Sequence, residues 1–483
     1  MALNLARNSR VFFTTNVDSA GKIQSTGFSD KLYELQVLDG FTFSQNTTQD
    51  TVTLSEAGGN PVRGQRTFNT SLAPADFSMS TYIRPFNATT SITAEEDVLW
   101  NALLGSKAIS AANTISLTGT ISGATYAFSA GTGTVTISGT SLGATGLTAG
   151  DIVVIGGLSS SDTTDTKILN SSATVVTVST SAITLRLIAP KTAGGTITIT
   201  TPTAVKFYKS AWATVLSTAS YVSTGASNLN QLQTFGMIFV VDNVIYTLDN
   251  CAMTQVTIDF GLDGIATASW TGQGTQLNES AITLSTLTGA TRAKNVTAPF
   301  ITNKLSTVDL VLKKTLGSIT ITDATSYKTY AVALTGGSVT INNNINYITP
   351  ANLATVNVAQ TYYTGTRAIT GTLNAYLKTG NASGSENTGE VLKDMLTAIT
   401  SSTLSSTAIE PMFGLVLAIG GKSNGTRVEL DMQSVSLSVP TVDVQQVIST
   451  AINFTAQGYT PSATAPVFDV QAPNELAVRY YAA

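Results

Sequence analysis

The sequence predicts a mainly β protein made of two similar halves, with a further β-rich segment lodged inside the first. Three observations predict it. Charged residues make up only 11% of the chain against 42% hydrophobic ones, and the remainder, rich in Ser, Thr, Asn and Gly, favours strands and turns over long solvated helices. Ordered segments in one half resemble segments in the other. A chain of 483 residues also exceeds what one core usually serves, so two to four folding units of roughly 100 to 200 residues are expected.

The repeat is carried first by 75–84 (ADFSMSTYIR), which resembles 368–378 (AITGTLNAYLK) in its alternation and its Tyr-aliphatic-basic ending. Each reads as a strand. A polar linker follows in both, then a helix whose apolar stripe is Leu99, Ala102 and Leu103 in the first half and Leu392, Met395, Leu396 and Ile399 in the second. Further on, 236–241 (GMIFVV) matches 414–419 (GLVLAI), and WTGQG at 270–274 matches FTAQG at 454–458. Tyr82 to Trp270 spans 188 positions and Tyr376 to Phe454 spans 78, so the first half carries a surplus of 110.

That surplus is placed at 110–203, where charge nearly vanishes and short alternating runs (TVTISGT, DIVVIGG, TVVTVST, ITLRLIA) have sandwich or barrel spacing. It is expected to leave from a surface loop and return to it. The predicted organisation is a discontinuous first unit, 1–109 and 204–280, an inserted β-rich domain, 110–203, a second unit, 281–460, and a terminal tail, 461–483.

Several function classes are disfavoured. The chain has no histidine and one cysteine, which removes Ser-His-Asp and Cys-His machinery and His-bearing zinc sites; no cofactor or metal is expected. Cys251 reads as a small core hydrophobe. DFGLDG at 259–264 lacks the spacing of a calcium loop, and no kinase lysine or catalytic loop accompanies its Asp-Phe-Gly. Glu429 and Asp431 alternate onto one strand face, the minimal pair for a glycosidase, but read as solvated residues beside a hairpin turn at 422–425. Net charge is −4 without any Lys/Arg run, so no electrostatic grip on phosphates is expected. The amino terminus shows no secretory h-region, and no apolar run reaches membrane-spanning length; production in a cytoplasm without membrane insertion is expected. The missing export signal also weighs against a surface-layer protein or adhesin.

Taken together, SEAGGNPVRGQRTFNTSLAPADFSMSTYIRPF (55–86), DVLWNALLGSKAI (97–109) and WTGQGTQL (270–277) resemble phage tail tube proteins. ITNKLSTVDLVLK (301–313), GGSVTINNNINYITPANLATVNV (336–358) and TGTRAITGTLNAYL (364–377) are similar to those of long-tailed phages in which one chain holds two tube units. The likeness covers both halves and omits the insert. Relatives carry decoration at the carboxyl terminus, whereas here the extra domain lies within the first unit, so its role does not carry over.

The resemblance implies two tandem β-sandwich or barrel units, each with a flanking helix, and a structural rather than catalytic role in the virion. It implies rings of three chains with pseudo-sixfold symmetry, stacked into a tube for DNA passage, with tape-measure, tail terminator and tail-tip proteins as partners. The stretch 56–66 (EAGGNPVRGQR) reads as a hairpin loop, and in the family this loop reaches the next ring. Glu56, Arg63 and Arg66 are the candidate inter-ring charges. Asp259, Asp263 and Asp443 are candidate lumen or rim carboxylates, in keeping with a wall that repels a sliding duplex.

Overall fold

The computed structural model describes residues 9–53, 65–87, 92–104, 114–129, 132–143, 147, 152–170, 172–187, 196–208, 212–213, 232–242, 244–279, 282–289, 300–312, 328–351, 357–378, 386–400, 413–420, 427–444, 447–460, 467–468 and 475–481. Among them the chain is mainly β, with a large 20-stranded sheet and a separate 7-stranded one.

The large sheet folds into two layers around one apolar core. The outer layer of the first half runs Leu32–Leu35, Arg10–Thr14, Phe235–Val241, then the first part of Val244–Gly261, which also pairs with Gln276–Glu279. In the second half the same order of neighbours recurs as Lys328–Ala331, Thr307–Leu312, Phe413–Ile419 and Arg427–Leu437. Even the irregularity repeats, with register shifts at Phe235/Met237 and at Phe413/Leu415. Both strands are almost continuously apolar because both faces are covered. Phe235, Met237 and Phe239 enter the main core, while Ile238 and Val240 join Phe12, Phe28 and Leu287 in a smaller one on the opposite face.

The long strand Val244–Gly261 then crosses to the inner layer, where it pairs with Thr267–Gly274, itself paired with Gln65–Tyr82 and, beyond that, Thr42–Thr53. On its other side it takes Ala333–Asn342 of the second half, which leads on to Ala368–Tyr376, Ser449–Ala456 and the short pieces Val435–Leu437 and Thr441–Asp443. One inner sheet thus runs unbroken across both halves.

The sheet register adjusts the sequence match by two residues. Tyr82 faces Thr267 and Tyr376 faces Ser449, so Ile452 stands in the row of Trp270, and Phe454 in the row of Gly272. A two-residue slip keeps every side chain on its face, which is why the sequence pattern tolerates it. Phe77 lies over Gly272 in the first half and Phe454 over Gly371 in the second: a Cβ on either glycine would come within 2.3 or 2.4 Å of the ring.

The helix Asp97–Leu104 is embedded in the core, with Trp100 edge-on to Trp270 at 5.0 Å. Thr388–Thr400 is amphipathic: Val391 and Met395 are buried, and Asp394 accepts a 2.7 Å hydrogen bond from the buried Tyr330 hydroxyl. Leu396, expected on the apolar stripe, is 46% exposed, because the buried face is narrower than the sequence pattern. The Ile399 side chain lies outside the described residues.

The four alternating runs of the predicted insert form strands Thr132–Gly143, Ile152–Gly156, Ser172–Val178 and Ala182–Leu187 of the 7-stranded sheet. Their inward residues, among them Val135, Ile137, Val153, Ile183 and Leu185, make a core of their own. This sheet extends to Lys206–Tyr208, past residue 203, because Phe207 completes that core. The predicted tail also departs from expectation. Ala477–Tyr481 is a strand paired with Arg427–Asp431 and with Trp212–Ala213, held there by the burial of Leu476, Val478 and Tyr480 in the main core.

Candidate functional site

Strand alternation sorts the inner sheet into two faces. Phe77, Met79, Val256, Ile258, Trp270, Val339, Ile341, Leu373 and Ile452 point into the core. The other face carries hydroxyls and amides that pair across the strands. Thr42 meets Ser78 at 2.7 Å, Ser80 meets Ser269 at 3.2 Å, Thr257 meets Thr340 at 3.2 Å, and the Thr372 hydroxyl donates to Asn453 Oδ1 at 2.7 Å. Gln273 Nε2 donates to Asp76 Oδ1 at 2.8 Å. No Lys or Arg occurs in 75–82, 255–261, 267–274, 333–342, 368–376, 441–443 or 449–456.

Asp259 and Asp443 are both exposed on this face. They occupy the same row, Asp259 opposite Thr267 and Asp443 opposite Ser449, with Tyr82 and Tyr376 one strand further on. Asp263 lies apart from them, in the exposed turn at the sheet's end. Asp76 belongs to the same face, as the apolar alternation of Ala75, Phe77 and Met79 around it already signals.

The sheet has two free borders among the described residues. One is Thr42–Thr53, paired on one side only, with Gln65–Tyr82. The other is Thr441–Asp443, paired on one side only, with Ser449–Ala456. Val442 and Val439, at this second border, are 40% and 39% exposed, and Val444 in the turn beyond is 76% exposed. Nothing in the alternation of the sequence distinguishes these residues from core ones.

Of the candidate inter-ring charges, Glu56 and Arg63 lie outside the described residues. Arg66 is not in a loop: it sits exposed on the Gln65–Tyr82 strand opposite Val52, since the hairpin strands run further than the Gly and Pro content indicates. Val52 and Phe68, on the same hairpin, are 46% and 47% exposed.

Glu429 and Asp431 are 1% and 2% exposed, which overturns their reading as solvated strand residues. The reason is that the outer sheet of the second half is covered on both faces, and Arg427 Nε donates to Glu429 Oε1 at 3.0 Å. The turn at 422–425 lies outside the described residues. Cys251 is fully buried, its thiol donating to the Leu248 carbonyl at 3.2 Å and pushed up in pKa by burial. Among the described residues no group of His, Cys, Asp and Glu is arranged to hold a metal ion, and no helix is long and apolar enough to cross a membrane.

The inner sheet is thus uninterrupted across both halves, with one polar face that lacks Lys and Arg in those segments and with two borders paired on one side only among the described residues. In sequence, the chain is 23% identical over 468 residues to tail tube protein pb6 of Escherichia phage T5, a match that covers 94% of this chain and 73% of the relative. The chain is a relative of phage tail tube proteins. No family profile matches it. The match to the tail tube protein extends over nearly the whole chain, and the mainly β architecture agrees with a β-rich tube component.

Proposed function

We propose that this protein is a structural subunit of a phage tail tube, built from a first tube module (1–109 and 204–280), an inserted domain (110–203, reaching 208 in its sheet) and a second module (281–460) that also takes in Ala477–Tyr481. The observation that carries the proposal is the pair of free borders on the inner sheet. Within the chain, Ile258 of the first half pairs with Val339 of the second. By the shared register, Val442 is the counterpart of Ile258 and Phe43 the counterpart of Val339. A second copy therefore fits the open border with Val442 opposite Phe43, Thr441 opposite Ser44 and Asp443 opposite Thr42.

Repeating that contact closes the sheet into a ring, which removes its open edges. The resemblance to phage tail tube proteins implies a ring of three chains, whose six modules give pseudo-sixfold symmetry. Rings stack head to tail, a contact that propagates rather than closes. The polar face then lines the channel, with Asp76, Asp259 and Asp443 presenting negative charge to passing DNA and Asp263 at a rim. A duplex slides past a surface that offers it no cationic ladder.

Glu56, Arg63 and Arg66 are assigned to ring-to-ring contacts, and the tape-measure, terminator and tail-tip proteins to the partners, on the resemblance. The product is a virion tail assembled in the host cytoplasm, with no turnover. Negative-stain electron microscopy of the purified protein tests the proposal. Rings or hollow tubes are expected, and a persistent lone monomer at every concentration would refute it.

A further inference from the structure

The second half carries a hairpin that leans back on the first. Beyond Asn342 its strands continue as the short ladder of Ile345–Ile348 with Thr361–Thr364. The Asn343 amide donates to the Thr254 carbonyl at 2.9 Å. The Tyr347 hydroxyl lies 2.7 Å from the Asn250 carbonyl oxygen and 2.9 Å from that of Gln273, and the Tyr362 hydroxyl donates to the Leu232 carbonyl at 2.8 Å. Tyr362 packs with Ile345 against Ala252 and Leu232 and is only 6% exposed. Further along, Asn357–Val358 pairs with Ser71–Leu72 of the first half.

The first half has the corresponding hairpin, but 46–52 and 65–69 are exposed throughout. Phe68 precedes Tyr82 by as many residues as Tyr362 precedes Tyr376, the two tyrosines that match in register. Tyr362 is buried, whereas Phe68 is 47% exposed. The seat is duplicated as well. Cys251 faces Phe235 as Val435 faces the equivalent Phe413, so Ser436 is the counterpart of Ala252. Ala252 pairs with Gln273 and Ser436 with Thr455, so Thr455 is the counterpart of Gln273. Ala252 is fully buried beneath the second hairpin, while Ser436 is only half-buried and Ser438 and Thr455 are exposed. An aromatic ring left in water on one half, and its bare seat on the other, mark a contact that a further copy completes.

We propose that the first hairpin leans on the second half of the next copy, with Phe68 seated over Ser436 and Thr455 as Tyr362 is seated over Ala252. This rests on the ring reading and extends it. With Val442 opposite Phe43, the same antiparallel register carries Asn46 to Val439 and Thr47 to Ser438, the place that Asn343 takes beside Thr254 within the chain. The hairpin therefore continues the border contact rather than making a separate one. Phe68 has no hydroxyl to give to a carbonyl, so its contribution is apolar burial against the Thr455 methyl and the 39% exposed Val439. Each copy is thus held to the next by a strap as well as by backbone pairing.

Photo-crosslinking of the assembled full-length protein, with Phe68 replaced by benzoylphenylalanine and adducts mapped by mass spectrometry, tests this. Adducts on 434–439 or 454–457 of a second chain are expected. Adducts elsewhere or none, under conditions in which Phe43→Cys combined with Val442→Cys still links chains, would overturn the seat and leave the ring standing. Failure of both links would overturn the two together. Phe68→Ala should raise the protein concentration needed for rings at least about tenfold and leave the melting temperature of the isolated chain unchanged, whereas Tyr362→Ala should lower that temperature. Rings of Phe68→Ala forming at the unaltered concentration would equally overturn the seat.

Discussion

Ile258 and Val442 hold the same position in the two halves of the inner sheet, yet Ile258 is fully buried and Val442 is 40% exposed. The difference lies in their neighbours: Ile258 is flanked by Ala268 on one side and Val339 on the other, whereas Val442 is paired with Thr450 alone among the described residues. Val442→Asp should therefore leave the stability of the isolated chain within about 0.5 kcal/mol and abolish rings in electron micrographs. Ile258→Asp should unfold the chain, because it buries an unpaired charge. Normal tubes from Val442→Asp would remove the proposed border contact.

The same contact has a covalent test. Phe43→Cys combined with Val442→Cys should give disulfide-linked dimers and trimers on non-reducing gels of assembled material, and neither single variant should do so. The native Cys251 is fully buried and does not compete. A cross-link confined to single chains would mean that the two borders meet within one copy.

The proposed channel lining is tested by reversing the charge row. Asp259→Lys with Asp443→Lys changes two exposed side chains, so assembly should survive. Tubes of this variant should co-sediment with double-stranded DNA at low salt and release it as salt rises, whereas unaltered tubes should not bind. Equal DNA retention by both would place these carboxylates away from the channel.

The glycines under the phenyl rings are constrained by space. Gly272→Ala and Gly371→Ala should each lower stability by about 1–3 kcal/mol in denaturant titrations, as overpacking does. In the second, Phe454→Leu should restore part of the loss. No change in midpoint would show that the ring moves aside freely.

The insert has its own core, so replacing residues 114–208 by a short Gly/Ser linker should leave tubes of unchanged inner diameter and smaller outer diameter in micrographs. Loss of assembly would make the insert part of the wall.

Stability should fall as pH rises through the range set by Glu96. Burial raises its folded pKa to about 7, above the ordinary carboxylate value of 4.5, so the folded state holds the extra proton. Its contribution is fully present below about pH 4.5 and is lost progressively up to about pH 7. The loss is on the order of 3 kcal/mol, and Glu96→Gln should flatten this part of the profile in calorimetry at fixed ionic strength.

Much of the architecture was legible from pattern. The strand at 75–84, the helices near Leu99 and Met395, and the alternating runs of the insert follow from periodicity, which reports which side of an element is buried. Asp259 and Asp443 were legible as polar positions on alternating strands, and Asp76 could have been read the same way. The last strand was not legible: AVRYY is short, and only the distant Trp100 and Glu96 give Tyr480 its place. Nor was the burial of Glu429 and Asp431, since alternation describes one face and is silent about a second layer laid over the other.

By itself, the sequence determined the strand-rich composition, the doubled pattern, the separate insert and the absence of cationic runs, because each is set locally by side-chain type and spacing. Only the tertiary structure decided that the inner sheet runs through both halves, that Thr42–Thr53 and Thr441–Asp443 stand at its two borders among the described residues, and that the final strand returns to the first helix. Those are relations between residues hundreds of positions apart, such as Glu96 and Tyr480, and backbone pairing over such distances follows from which edges remain unfilled once the core has closed.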